Sequence, residues 1–385
     1  MLHFPIYMDH LSTTPVDPRV LDAMLPYFQT HYGNASSRSH QQGRHAHEAV
    51  MLAREQVADL IGCVREELIF TSGATESINL ALRGVSEAYA SKGNHIITCV
   101  TEHRAVLDTC SDLEKKGMQI TYLPVNENGQ IDPEQLKASI TASTILLCFM
   151  YANNETGIIH PIREIATIAK ERGVLFLCDA TQAVGKIPVQ VTEDGMDLMA
   201  FSAHKIYGPK GCGALYIRRK NPRVQIKAQI TGGGQERNLR SGTLNVPGIV
   251  GLGQAAVLCQ SEMEEEAKRL LYLRTHFETE LAKLKPIWIA GTSVPRLPHV
   301  SNCCFQWTEG PQLLLELAPT LALSSGSACS SESSEPSFVL TAMNRSKKDA
   351  KRSIRFCFGR FNTKDEIDYA LDLITRYYRQ HNTLS

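Results

Sequence analysis

Three observations place this chain in the α/β class, as a large doubly wound, mostly parallel sheet domain joined to a smaller α+β domain. From about residue 55 to residue 230, short apolar runs alternate with helical patterns, the signature of βαβ units. Beyond about residue 255 the alternation gives way to a long charged amphipathic helix, further helices and few strands. The chain has 385 residues, 43% of them hydrophobic, enough apolar material for two domains of ordinary size.

Taken in order, the strands expected in the first part are ELIFTS, HIITCV, QITYLPV, TILLCFM, VLFLCDA, DLMAFSA and GALYIRR. Between them the pattern predicts helices over residues 75–92, over 133–140 with Asp132 as cap and Pro133 at the first helical position, and over 162–171, stopped by Gly173. The second part should hold a helix over 262–284, a strand at SNCCFQW, a helix over 311–317, a serine-rich loop over 324–336, a strand at SIRFCFG and a last helix over 365–379. Residues 1–20 contain turn signals but no core of their own and should pack on the small domain. The division is therefore 1–20, a large domain over 21–255 and a small domain over 256–385.

Forty basic side chains balance forty acidic ones, which argues against a broad electrostatic footprint for nucleic acid or an anionic membrane. The start MLHFPIYMDH lacks a cationic signal with an apolar run, and no segment nears about 18 uninterrupted apolar residues. A cytoplasmic protein is expected, with no membrane contact and no direct nucleic-acid binding. The eleven cysteines are scattered, with no Cys-x-x-Cys spacing, so reduced thiols are expected rather than staples or a metal site. Cys99, Cys148 and Cys178 lie in apolar runs and should be buried strand residues.

Cys329 differs from the rest. It sits in SSGSACSSESSEP, where no large apolar side chain anchors the segment. Taken alone, this loop is either an incidental disordered stretch or a carrier for an accessible, travelling thiol.

In an open α/β sheet, ligands bind beyond the carboxyl ends of the strands. ELIF leads into Thr71-Ser72-Gly73-Ala74-Thr75-Glu76-Ser77, which reads either as a helix cap or as a phosphate site at a helix N-terminus. HIITCV is followed by Thr101-Glu102-His103, TILLCFM by Asn153-Asn154-Glu155, VLFLC by Asp179-Ala180-Thr181-Gln182, and DLMAFSA by His204-Lys205 with Gly208, Gly211 and Gly213 close behind. A carboxylate ending an apolar strand, as Asp179 does, must be paired. An acid, a lysine, a phosphate cradle and a histidine converging on one edge are what pyridoxal 5'-phosphate requires: an amine to hold it, a carboxylate for its ring nitrogen and N–H groups for its phosphate.

The motifs TSGATES, TEHRAVLDTC, NNETG, DATQAVGK, SAHKIYGPKG, RSGTLNV, SSGSAC and SIRFCFGRF together resemble the cysteine desulfurases of the IscS/NifS type, within the class V, fold-type I pyridoxal phosphate enzymes, from about residue 6 to residue 378. The resemblance implies covalent attachment of the cofactor at Lys205, pairing of its ring nitrogen with Asp179, and ring stacking with proton transfer at His103. It assigns the phosphate to Ala74, Thr75, Ser202 and His204, and the ring surroundings to Gln182 and Asn154. Thr243 would reach the partner subunit's phosphate in a homodimer. Arg355 would take the substrate carboxylate, with Asn34 beside it, although strand position alone reads Arg355 as a surface residue.

The implied reaction removes sulfur from L-cysteine, leaving L-alanine and a persulfide on Cys329 that passes to a protein acceptor in iron–sulfur cluster assembly, tRNA thiolation or DNA sulfur modification. The alternatives on the same scaffold are a selenocysteine lyase or another class V aminotransferase-like enzyme; from another class, a non-catalytic sulfur carrier. Two departures from the family pattern stand out: Ser12 occupies a place where relatives usually have a different small residue, and the sequence stops at Ser385, short of the tail that housekeeping members use for scaffold docking.

Overall fold

The computed structural model describes residues 2–326 and 335–382. Its strands are β1 (Ile6–Tyr7), β2 (Leu68–Thr71), β3 (His95–Cys99), β4 (Gln119–Leu123), β5 (Thr144–Met150), β6 (Leu175–Asp179), β7 (Leu198–Ser202), β8 (Gly213–Ile217), β9 (Ile287–Ile289), β10 (Val300–Phe305), β11 (Leu321–Ala322) and β12 (Ser353–Cys357). Its α-helices are α1 (Pro18–Met24), α2 (Pro26–Gln29), α3 (Gln41–Ile61), α4 (Ala74–Ala88), α5 (Arg104–Glu114), α6 (Pro133–Ser139), α7 (Ile162–Arg172), α8 (Val246–Leu281), α9 (Gly310–Leu317), α10 (Phe338–Ala342), α11 (Lys347–Lys351) and α12 (Lys364–Asn382).

The large sheet runs β2-β8-β7-β6-β5-β3-β4 and is parallel except for β8, which is antiparallel to both its neighbours. Its strands are apolar nearly throughout because helices cover both faces. Leu146 and Leu177 pack with Ile78 and Val85 of α4 and Val106 of α5; Leu147, Phe149, Phe176 and Phe201 pack with Val57 of α3, Ile165 of α7 and Leu252 of α8. Cys99, Cys148 and Cys178 are free and buried in β3, β5 and β6. Helix α6 starts as the sequence suggests, with the Asp132 carboxylate accepting from the Glu134 N–H. Helix α4 is shorter than expected: the Lys92 and Gly93 N–H groups fold back onto Tyr89 O and close a turn.

The largest departure is α8, a single helix beginning at Val246 rather than near residue 262. The expected division at residue 255 falls inside it. Its first half, rich in glycine and alanine, lacks the periodicity that marks a helix, because it lies close against α3: a Cβ at Gly253 would come within 2.7 Å of Ala53 Cα. Its second half presents Leu270, Leu273 and Phe277 to another core, shared with Phe305, Phe356 and Ile374.

That second core backs the antiparallel sheet β12-β10-β9, in which Arg355 sits opposite Asn302. Strand β1 pairs in parallel with β11, and the chain continues beside β12, where the Cys357 N–H donates to Met8 O at 2.8 Å. Residues 9–14 are thereby delivered to the carboxyl edge of the large sheet. Arg360 pins the two cores together, donating to Glu266 at 2.7 Å and Asp17 at 2.9 Å while its guanidinium lies 4.3 Å from the Tyr207 ring centre. No helix among the described residues is long and apolar enough to cross a membrane.

Candidate active site

A cavity of about 400 Å³ opens where β2, β3, β5, β6 and β7 end, and its wall includes Ala74, Thr75, His103, Asn154, Asp179, Gln182, Ser202, His204, Lys205 and Arg355. Ten of the residues singled out in the sequence thus converge. Asn34 and Thr243 do not line the cavity: both are exposed, and Asn34 Oδ1 accepts from the Ser36 N–H at 2.9 Å, holding its own turn. Arg355, read from strand position as a surface residue, is 1% exposed. The reason is that β12 is the sheet edge facing the large domain, where residues 9–14 and Asn154 close over it. Cys329 lies outside the described residues.

The cradle at the start of α4 is built from backbone. Gly73 caps α4 without a side chain, so no hydroxyl or carboxylate consumes the first amides of the helix. Gly213, at the start of the antiparallel β8, closes the cradle from behind: a Cβ there would lie 2.6 Å from both Gly73 Cα and Phe201 O. Glu76, in the first turn, would repel an anion were it free. Its carboxylate instead accepts from the Ser72 N–H at 2.8 Å and from Arg240 Nε at 2.8 Å.

Asp179 lies opposite Met150 in the sheet register. Its Oδ1 accepts from the Thr181 N–H at 3.0 Å and the Thr181 hydroxyl at 2.5 Å, while Oδ2 makes no hydrogen bond among the described residues. His103 caps α5, its Nδ1 accepting from the Ala105 N–H at 3.1 Å, so the neutral ring carries its proton on Nε2. Burial lowers its pKa, against a smaller upward pull from Asp179. His204 Nδ1 lies 3.0 Å from Thr13 Oγ1, and burial pushes that imidazole down to about 4, so it is neutral.

Lys205 follows β7 in a single 3₁₀ turn, and its Nζ donates to Leu11 O and Ser12 O, each at 2.5 Å. Burial, reinforced by the Arg355 charge, brings its pKa down to about 8. An amine so placed is partly unprotonated near neutrality and can act as a nucleophile.

The residues fit pyridoxal phosphate on these observations: an uncapped helix N-terminus, a carboxylate with one oxygen held and one left over, and a lysine poised in the same cavity. Sequence reasoning missed the N-terminal segment. Leu11, Ser12 and Thr13 line the cavity, Gln182 Nε2 donates to Leu11 O at 3.0 Å, and Asp9 accepts from Arg355. Sequence reasoning placed Thr181 in the polar cluster after β6 but gave it no role, although Thr181 is the residue that orients Asp179. A hydroxyl two positions after a strand-ending acid was the available signal.

Residues 6–370 match the family model described as aminotransferase class-V. A cysteine desulfurase IscS from Anaeromyxobacter sp. (strain K) is 52% identical over all 385 residues, which span 95% of that protein. Among solved structures, a NifS-like protein aligns over 97% of this chain and 99% of its own with a TM-score of 0.90 and 37% identity. SspA in complex with cysteine aligns over 93% of this chain and 100% of its own with a TM-score of 0.82 and 34% identity. With the sheet order, the cradle at Gly73 and the lysine after β7 all in place, the chain belongs to the aminotransferase class-V family and, within it, to the cysteine desulfurases of the IscS kind.

Proposed function

We propose that this protein is a pyridoxal phosphate-dependent cysteine desulfurase that converts L-cysteine to L-alanine, collects the sulfur on Cys329 and passes it to a protein acceptor, working as a cytoplasmic homodimer. The observation that carries the reading is the meeting of Lys205, Asp179 and Arg355 in one cavity with the uncapped N-terminus of α4. When bound, the cofactor supplies an electron sink next to the substrate α-carbon. Arg355 takes the substrate carboxylate, and Lys205 Nζ, its pKa lowered to about 8 by burial and so partly unprotonated near neutrality, moves the α-proton. Asp179 would hold the cofactor's ring nitrogen through the oxygen that Thr181 leaves free, while the Thr181 N–H and hydroxyl keep the carboxylate turned. His103, neutral with its proton on Nε2, presents a flat ring and a donor to the same space.

In the sulfur step the Cys329 thiolate attacks the substrate sulfur. The carbon–sulfur electron pair stays with the carbon, which takes a proton, while the sulfur leaves as the outer atom of a Cys329 persulfide. Thr243, exposed and outside its own cavity, suits a second subunit. The IscS name of the relatives favours iron–sulfur cluster assembly as the destination.

The test is the purified yellow protein supplied with L-cysteine and a thiol reductant. Cys329→Ala should keep the colour and lose sulfide and alanine production by at least about a hundredfold, a loss of roughly 3 kcal/mol in transition-state stabilisation. Lys205→Ala should lose the attached cofactor. Retained sulfide release in Cys329→Ala would reject the reading. Sedimentation should give twice the 42.7 kDa chain mass.

A further inference from the structure

Arg355 meets the cavity already carrying a counter-charge. Its Nη2 donates to Asp9 Oδ1 at 2.5 Å and its Nη1 to Asn154 O at 2.7 Å, while its buried Nε has no hydrogen-bond partner among the described residues. Asp9 is itself fixed. It bridges to Cys357 beside β12, its carbonyl accepts from the Tyr7 hydroxyl at 3.1 Å, and two and three residues later the same segment offers Leu11 O and Ser12 O to Lys205. The Asp9 side chain is 16% exposed against 2% for Arg355, so Asp9 is the more accessible member of the pair. A buried guanidinium with an orphaned donor is an incompletely satisfied arrangement, and a second carboxylate approaching it would be repelled by the one already present.

We propose that Asp9 is a positioning residue that acts through Arg355. In the resting protein it is the counter-ion of the guanidinium, and the carboxylate of an incoming amino acid binds by taking its place on Nη2. This rests on the reading of Arg355 as the substrate-carboxylate residue. The exchange trades one carboxylate for another on the guanidinium, so the deeply buried charge stays paired throughout and the one set free belongs to the more exposed member of the pair. It also sets the affinity: the site holds L-cysteine only by the margin over Asp9, and L-alanine leaves because Asp9 returns. A free guanidinium would bind both more tightly.

Asp9→Asn keeps an oxygen for Nη2 and removes the competing charge. Its KM for L-cysteine should fall by about fivefold or more, with kcat unchanged or reduced through slower product release, and the Kd of L-alanine measured by calorimetry should fall by a similar factor. Asp9→Ser, which also removes the charge, should move both constants in the same direction and serves if the asparagine variant folds poorly; the cofactor absorption and the melting temperature report on folding. Unchanged or raised values of KM and alanine Kd in a folded, yellow Asp9 variant would overturn the proposal. If the wild-type protein turned over no L-cysteine, the desulfurase reading would fall, whereas the alanine titration of wild type against variant would still decide the role of Asp9.

Discussion

Replacing Lys205 by methionine should flatten the pH response of the cofactor-free protein's stability. The side chain is buried beside Arg355, and its pKa falls from the ordinary 10.5 to about 8, with burial the larger cause and the arginine charge the next. Because the folded value lies below the unfolded one, the unfolded chain binds more protons between about pH 8 and pH 10.5, and stability rises with pH across that window. At 1.36 kcal/mol per unit, the full difference is about 3 kcal/mol. Of this, about 1.3 kcal/mol accrues between pH 7 and pH 9, since the folded-state amine is then mostly deprotonated and the unfolded one is not. Other groups titrate in the same range, but they are common to both proteins and cancel. Urea unfolding of wild type and Lys205→Met, both stripped of cofactor, gives the two free energies at each pH. Wild type should gain about 1.3 kcal/mol more than the variant between pH 7 and pH 9. Curves parallel to within about 0.5 kcal/mol would show that Lys205 is not destabilised as an ammonium ion and would remove the argument for its nucleophilicity.

Two further substitutions probe the frame around the cavity. Gly213→Ala places a methyl group against the backbone of both Gly73 and Phe201, which cannot yield as a side chain can; it should cost about 1–3 kcal/mol and weaken cofactor binding by at least about tenfold in an absorbance titration. Glu236→Gln breaks a pair in which the carboxylate accepts from Arg54 at 2.5 and 3.0 Å and from the Phe70 N–H at 2.7 Å. Denaturant unfolding should show a loss of about 3–5 kcal/mol, because the Arg54 charge is left buried and unpaired.

The large sheet was legible because a doubly covered parallel strand must be apolar along its whole length, and five of its strands announce themselves that way. The polar cluster beyond each strand was legible for the same reason: the change from apolar run to polar residues is abrupt at Asp179 and at Ser202. The first half of α8 was not legible. Close packing against α3 selects glycine and alanine over a stripe of large apolar residues, and the 3.6-residue signal vanishes with the side chains. Arg355 was misread from strand position for a related reason. A charge in an edge strand is normally solvated, and only the tertiary partner, here Asp9 from 346 positions earlier in the chain, makes burial affordable.

The N-terminal segment shows a deeper limit. Leu11 and Ser12 act on Lys205 through carbonyl oxygens, which every residue carries, so no side-chain pattern could have marked them. Their position arises from a chain of local causes: β1 adds to β11, residues 8–10 run on beside β12, and the next residues arrive at the mouth of the cavity. The substitution at residue 12 therefore has little bearing on that contact, because serine and another small residue present the same carbonyl. Asp9 is the opposite case. Its carboxylate is supplied by the residue itself rather than by the backbone, and it is the group that touches the arginine. A segment that looked like an inert lead-in thus divides into backbone that shapes the lysine and a side chain that governs the arginine. The Asp9→Asn and Lys205→Met experiments address these two halves separately.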